Sequence, residues 1–204
     1  MSKPWDKPTA RREALLPRQR HLIVSEDAKS GLDYLRAFEV PAGLVEIQTE
    51  GGAGNTVSVV ERALELREKA LQTRRPFAHV WCVIDRDEHP LDRYQRAFTA
   101  AANFNDVSVI WANECFELWY LLHFCYRDTA IGRADLRREL GRPERLDRAY
   151  DKADPGIFLL LKDRLPMAIQ HAERLSRSNS SAHDNPSTNI HVLVRKLIQL
   201  QQQG

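Results

Sequence analysis

Between residues 20 and 124, short apolar runs rich in β-branched residues alternate with stretches of helical spacing, and this alternation constrains the fold more than any other feature. His21-Leu22-Ile23-Val24-Ser25 reads as a strand, and residues 28–38 then carry Leu32, Leu35 and Phe38 on one helical stripe. The same pair recurs as a strand at 43–49, a glycine-rich turn at 51–55, and a helix at 56–73 with Val60, Leu64 and Leu71 facing inward. Strands at 78–84 and 107–112, with helices at 91–104 and 114–124, complete the series. Such alternation predicts an α/β fold: a four-stranded, mainly parallel sheet with helices on both faces. Past Tyr126 no strand is expected. The remainder reads as helices at 134–140, 155–177 and 190–202, with Pro166 kinking or splitting the second.

The expected organisation is a flexible N-terminal arm over 1–19, an α/β domain over 20–126, and a helical extension over 127–204 packed on it. The arm holds Pro4, Pro8 and Pro17 among alternating charges and has no apolar stripe of its own. A length of 204 residues suits one compact domain. The formal charge of +2, from 30 basic and 28 acidic residues, excludes a global field that recruits nucleic acid or an anionic membrane, so any polyanion site is a local patch. One candidate patch is the series Arg133, Arg137, Arg138, Arg142, Arg145 and Arg148, which interleaved acids make a solvated helix face first and a phosphate contact second. Cys82, Cys115 and Cys125 sit in apolar runs without metal spacing and read as reduced thiols. With no long apolar segment, the expectation is a cytoplasmic protein with no membrane partner.

Chemistry concentrates at strand ends. Asp85-Arg86-Asp87 follows the buried run Val80-Trp81-Cys82-Val83-Ile84, and Glu26 follows the first strand. In open α/β sheets the ligand crevice lies outside the carboxyl ends of the strands, where strand order reverses. A strand order of 2-1-3-4 puts Glu26 beside Asp85 and Asp87 at that reversal. Three carboxylates in one crevice raise each other's pKa unless a cation neutralises them, and Mg²⁺, or Mn²⁺ in its place, takes such hard oxygen ligands. The plainer alternative is that the two aspartates begin a turn and Glu26 caps a helix.

Other candidates surround these acids. Gly52, Gly54 and Asn55, in a turn before a helix, present backbone N–H groups suited to phosphate, with Lys29 as a neighbouring phosphate-binding cation; the turn lacks the Lys-Ser/Thr of a P-loop, which argues against nucleotide hydrolysis. Glu117 either joins the metal cluster or makes a structural hydrogen bond, and Lys152 is a catalytic candidate for the scissile phosphate. Arg86 and His123 are substrate-contact candidates, although a histidine on an apolar helix is more often a core residue. Asn185-Pro186-Ser187-Thr188 reads as a turn and N-cap before the last helix.

Four segments together resemble the RloB-like family. They are Ser25-Glu26-Asp27-Ala28-Lys29-Ser30 with Tyr34; Val83-Ile84-Asp85-Arg86-Asp87-Glu88; residues 113–124, with Cys115-Phe116-Glu117-Leu118-Trp119 and His123-Phe124; and Asn185-Pro186-Ser187-Thr188-Asn189 with His191. Glu114 stands where the family often has proline. The resemblance implies a Toprim-like domain with the metal-site glutamate at Glu26 and the paired acids at Asp85 and Asp87. It also implies a place in bacterial restriction and phage-defence loci with a partner ATPase. The expected function is a metal-dependent nuclease acting on DNA or on RNA such as tRNA. The alternative is a non-catalytic regulatory or effector-binding subunit of an ATPase complex, with oligomeric state left open.

Overall fold

The computed structural model describes residues 19–26, 30–49, 56–86 and 90–203. Asp87, Lys29, Gly52, Gly54, Asn55 and all but the last residue of the arm lie outside them.

The four expected strands form as β1 (His21–Ser25), β2 (Val45–Thr49), β3 (His79–Asp85) and β4 (Val107–Asn113). They are connected by helices α1 (Ser30–Arg36), α2 (Thr56–Gln72) and α3 (Leu91–Ala101), and β4 leads into α4 (Glu117–Leu122). The sheet order is β2-β1-β3-β4 with all three pairings parallel. Strand alternation then divides the core. Ile23, Trp81, Val83, Ile110 and Ala112 point to one face, and Leu22, Val24, Val80, Cys82, Val107 and Val109 to the other. Helices α2 and α3 cover the second face. Within α2 the buried stripe is Thr56, Val59, Val60, Ala63 and Ala70, so Leu71, expected inward, is 44% exposed: it sits about 100° around the helix from Ala70.

The first face is covered by α1, α4 and the C-terminal helices α5 (Arg133–Leu140), α6 (Ile157–Leu161), α7 (Leu165–Ser178) and α8 (Ile190–Gln201). The expected long helix at 155–177 is split. A 3₁₀ turn, Lys162–Arg164, separates α6 from α7, and Pro166 falls in the first turn of α7, where its missing N–H costs nothing.

Two expectations are corrected here. A fifth strand, β5 (Ser187–Thr188), pairs antiparallel with β4, so the C-terminal third supplies a sheet edge as well as helices. The segment expected as an N-cap does both jobs: the Thr188 hydroxyl accepts from the Ile190 N–H at the start of α8, at 3.2 Å, and the same segment also works sideways. Asn189 accepts a hydrogen bond from the Trp111 N–H at 2.7 Å and donates to the Val109 carbonyl at 2.9 Å, while the Thr188 hydroxyl donates to the Trp111 carbonyl at 2.8 Å. An amide side chain thus extends the ladder along β4, and Asn189 makes no side-chain cap for α8. The helix expected from residue 114 instead begins at Glu117, after a turn in which Leu118 N–H donates to the Cys115 carbonyl at 2.9 Å.

Gly31, in α1, fixes how closely α1 approaches the start of α4. A Cβ there would lie 2.7 Å from Cδ2 of Phe116, a ring that is 3% exposed and has no room to retreat. Gly31→Ala is expected to destabilise the chain by about 1–3 kcal/mol despite alanine's better helix propensity. Urea unfolding of the two proteins measures it, and an unchanged midpoint would contradict the packing described.

Candidate functional site at the carboxyl edge of the sheet

Because β1 connects outward to β2 while β3 connects outward to β4, strand order reverses between β1 and β3. Ser25 pairs with Val83 in parallel register. Glu26 is the next residue of its strand line and Asp85 the second beyond Val83, so both acids leave the same edge on neighbouring strands spaced about 4.8 Å apart.

Asp85 is held from two sides. Its strand is anchored to β4, with Asp85 opposite Ala112 and the Arg86 N–H donating to the Ala112 carbonyl at 2.9 Å. The chain then folds back from β4, so that the Phe116 N–H donates to the Asp85 carboxylate and Glu117 comes alongside. Burial first, and the Glu117 charge second, push Asp85 up from 3.8 to about 7; the Phe116 N–H, Arg133 and Lys152 oppose that rise. Asp85 nevertheless keeps partial exposure, as a crevice residue must.

Glu117 is 2% exposed, and its Oε1 makes no hydrogen bond among the described residues. Its ion-pair partner, Arg137 Nε, stands 3.7 Å away. Around it, burial and the Glu117 charge raise the Cys115 thiol and the Tyr150 hydroxyl well above their usual ranges. Arg86 extends over the Tyr94 ring, 5.5 Å from its centroid, and Tyr94 itself is raised by burial and then by the Asp85 charge. The crevice therefore joins Asp85, Glu117, Arg86 and Lys152 from the expected residues, with Glu26 on the adjoining strand end. Among the described residues no cluster of three or more His, Cys, Asp or Glu side chains is arranged to hold a metal, and Asp87 lies outside them.

His123 belongs elsewhere. It is fully buried, with Nδ1 2.9 Å from the Trp119 carbonyl and Nε2 3.2 Å from the Tyr34 hydroxyl, so it is a core residue and not a substrate contact. The carbonyl can only accept, which places the proton on Nδ1 and leaves Nε2 to accept from Tyr34. Glu114, likewise outside the acid group, accepts from the Asn185 amide at 3.2 Å.

The arginine series divides. Arg138, Arg142 and Arg148 pair with Asp135, Glu139 and Asp154 on the exposed side, as a solvated face does, whereas Arg145 is largely buried against Glu139. Arg133 and Arg137 instead act on Asp85 and Glu117. No signal in the sequence separates them, because Arg138 and Arg142 repeat the same four-residue spacing. Arg137→Ala is expected to cost roughly 1 kcal/mol, because the guanidinium is half exposed while Glu117 is not. Adding Glu117→Gln to that variant should recover the loss in a urea double-mutant cycle; additive losses would show the two do not interact.

Carboxylates at the reversal point of a mostly parallel five-stranded sheet, faced by cations from a helical C-terminal region, define an α/β protein whose acids gather at the carboxyl edge of the sheet. The chain belongs to the RloB-like family: its sequence matches the family described as RloB-like protein over residues 21–197. That membership is consistent with a restriction-associated protein. No curated protein and no solved structure matches the chain. Among the described residues no helix is long and apolar enough to cross a membrane.

Proposed function

We propose that the chain is a divalent-metal-dependent nuclease of a restriction-associated phage-defence system, Toprim-like in its site, acting with a partner ATPase. The observation that carries this reading is the placement of Glu26 and Asp85 on neighbouring carboxyl strand ends at the switch point. The donor types suit Mg²⁺ or Mn²⁺: hard carboxylate oxygens, including a buried Glu117 oxygen without a hydrogen bond. Glu26 and Asp85 would hold the ion, with Asp87 as the further acid by family resemblance and Glu117 behind them. When bound, a dication supplies Lewis-acid charge to the phosphoryl oxygens.

The remaining work falls to side chains. Lys152, Arg133 and Arg86 draw a phosphodiester to the crevice mouth by charge, and the Phe116 N–H holds the Asp85 carboxylate. Lys29 and the turn containing Gly52, Gly54 and Asn55 remain the proposed contacts for flanking phosphates. The test is cleavage of labelled duplex DNA, single-stranded DNA and tRNA by wild type and Glu26→Gln. Cleavage that requires Mg²⁺ or Mn²⁺, stops with EDTA and is lost in the variant is expected; activity that survives EDTA would overturn the reading.

A second reading has its own support. Arg137, Arg133 and Lys152 already offset part of the acidic charge, which favours a regulatory or effector-binding subunit holding this crevice without a metal. Isothermal titration with Mg²⁺ and Mn²⁺ separates the two, because the regulatory subunit binds neither ion.

A further inference from the structure

A sizeable cavity lies away from the acids. It is a cleft of about 1100 Å³ between α7 and α8, floored by Trp81 of β3. Trp81 and Asp85 share a sheet face four residues apart, which separates the cleft from the carboxyl edge by about 13 Å along the strand. Pro166, Ile169 and Glu173 repeat at helical spacing along one stripe of α7, and His191, Arg195 and Gln199 along the facing stripe of α8. Two helices that packed fully would close this seam; here they part and leave an apolar-walled slot.

Its charged groups are mostly cationic. Lys162, Arg195 and Lys196 line the cleft against a single acid, Glu173, which already pairs with Arg195. Lys162 and Lys196 pair with no acid among the described residues. Two lining side chains more than nine-tenths buried, Trp81 and His191, each carry a ring nitrogen without a hydrogen-bond partner, Nε1 and Nδ1. His21, whose ring lies 6.5 Å from that of Trp81, is lowered to about 4 by burial first and then by the Lys196 charge. Gln199 and Gln202 at the far end add amides able to donate and accept.

We propose that this cleft binds a small phosphate-bearing molecule with a flat apolar body, the chemistry of a mononucleotide. Lys162 and Lys196 take the phosphate, the Ile169 and Pro166 wall covers the flat body, and the glutamine amides meet its polar edge. The volume, about 1100 Å³, leaves room for a ligand of that size beside the apolar surface of Ile169, Pro166 and Leu165. The site is independent of the nuclease reading, since none of its lining residues belongs to the carboxyl-edge crevice.

The experiment uses the full chain carrying Asp85→Asn, in EDTA, so that metal binding at the acids cannot contribute. AMP, GMP, CMP and UMP are titrated by calorimetry and thermal shift, with inorganic phosphate, adenosine and a single-stranded oligonucleotide as comparison probes. At least one mononucleotide is expected to bind and raise Tm, more tightly than inorganic phosphate or adenosine. Lys162→Ala with Lys196→Ala should weaken it at least about tenfold, the weight of one charge-assisted contact, whereas Lys162→Arg with Lys196→Arg retains it. The proposal is overturned if no mononucleotide binds, if the alanine pair binds as well as the parent, or if only the oligonucleotide binds. The arginine pair, keeping charge and fold, distinguishes lost contacts from lost structure.

Discussion

Asp85→Asn is expected to abolish metal-dependent cleavage and, at alkaline pH without metal, to make the protein more stable. Cleavage should fall on the order of 10³-fold or more, because a ligand to a charge worth several kcal/mol at the transition state is lost. The stability gain has a separate origin. In the folded chain Asp85 binds its proton up to about pH 7, against 3.8 unfolded, so between these values the folded state holds more proton and grows more stable as pH falls. Above both values the folded chain carries the whole penalty of a crowded, ionised carboxyl, up to about 4 kcal/mol. Asparagine keeps the shape and an oxygen for the Phe116 N–H without the charge. Urea unfolding in EDTA at about pH 8 should therefore show the variant stabilised, and at about pH 4 the two proteins nearly equal. A variant that still cuts, or that is weaker at alkaline pH, would show that Asp85 is neither a ligand site nor crowded by charge.

Acidification should expose the opposite effect at His123. Burial lowers its pKa from 6.5 to about 4, so the unfolded chain takes up a proton across that window while the folded chain does not. Its contribution is complete above 6.5 and is lost as pH falls towards 4, a cost of about 3 kcal/mol. His21, also lowered to about 4 by burial, adds the same sign. Asp85 and His123 therefore offset each other in the parent chain between pH 4 and 6.5. Each substitution should unmask the other. Asp85→Asn loses stability steeply on acidification, whereas His123→Gln loses distinctly less than the parent. The check is the pH dependence of urea midpoints for the three proteins, and parallel curves would mean that neither group is perturbed by burial.

Much of the scaffold is legible because periodicity is local. Leu32, Leu35 and Phe38 announce α1, and the runs ending at Ser25 and Asp85 announce β1 and β3, since a buried parallel strand needs apolar side chains on both faces. What is not legible has no periodicity to offer. β5 is two residues, Ser187 and Thr188, whose pairing depends on Asn189 reaching across to β4. Helix α4 begins three residues later than its apolar pattern suggests, because the chain must first turn out of β4. At the site, the positions of Glu26 and Asp85 follow from strand ends alone. The roles of Arg133 and Arg137 do not, because a charged helix face reads the same whether it meets water or a carboxylate.

The order of elements, the two-faced sheet and the strand ends where acids gather are written in local side-chain spacing along a few neighbouring residues. Which polar residues meet is settled by long-range packing. It set His123 inside the core against Tyr34, brought Glu117 back beside Asp85, and opened the slot between α7 and α8. Those outcomes depend on how elements far apart in the chain approach, and Coulomb and desolvation energies vary with distances and burial that no linear pattern encodes.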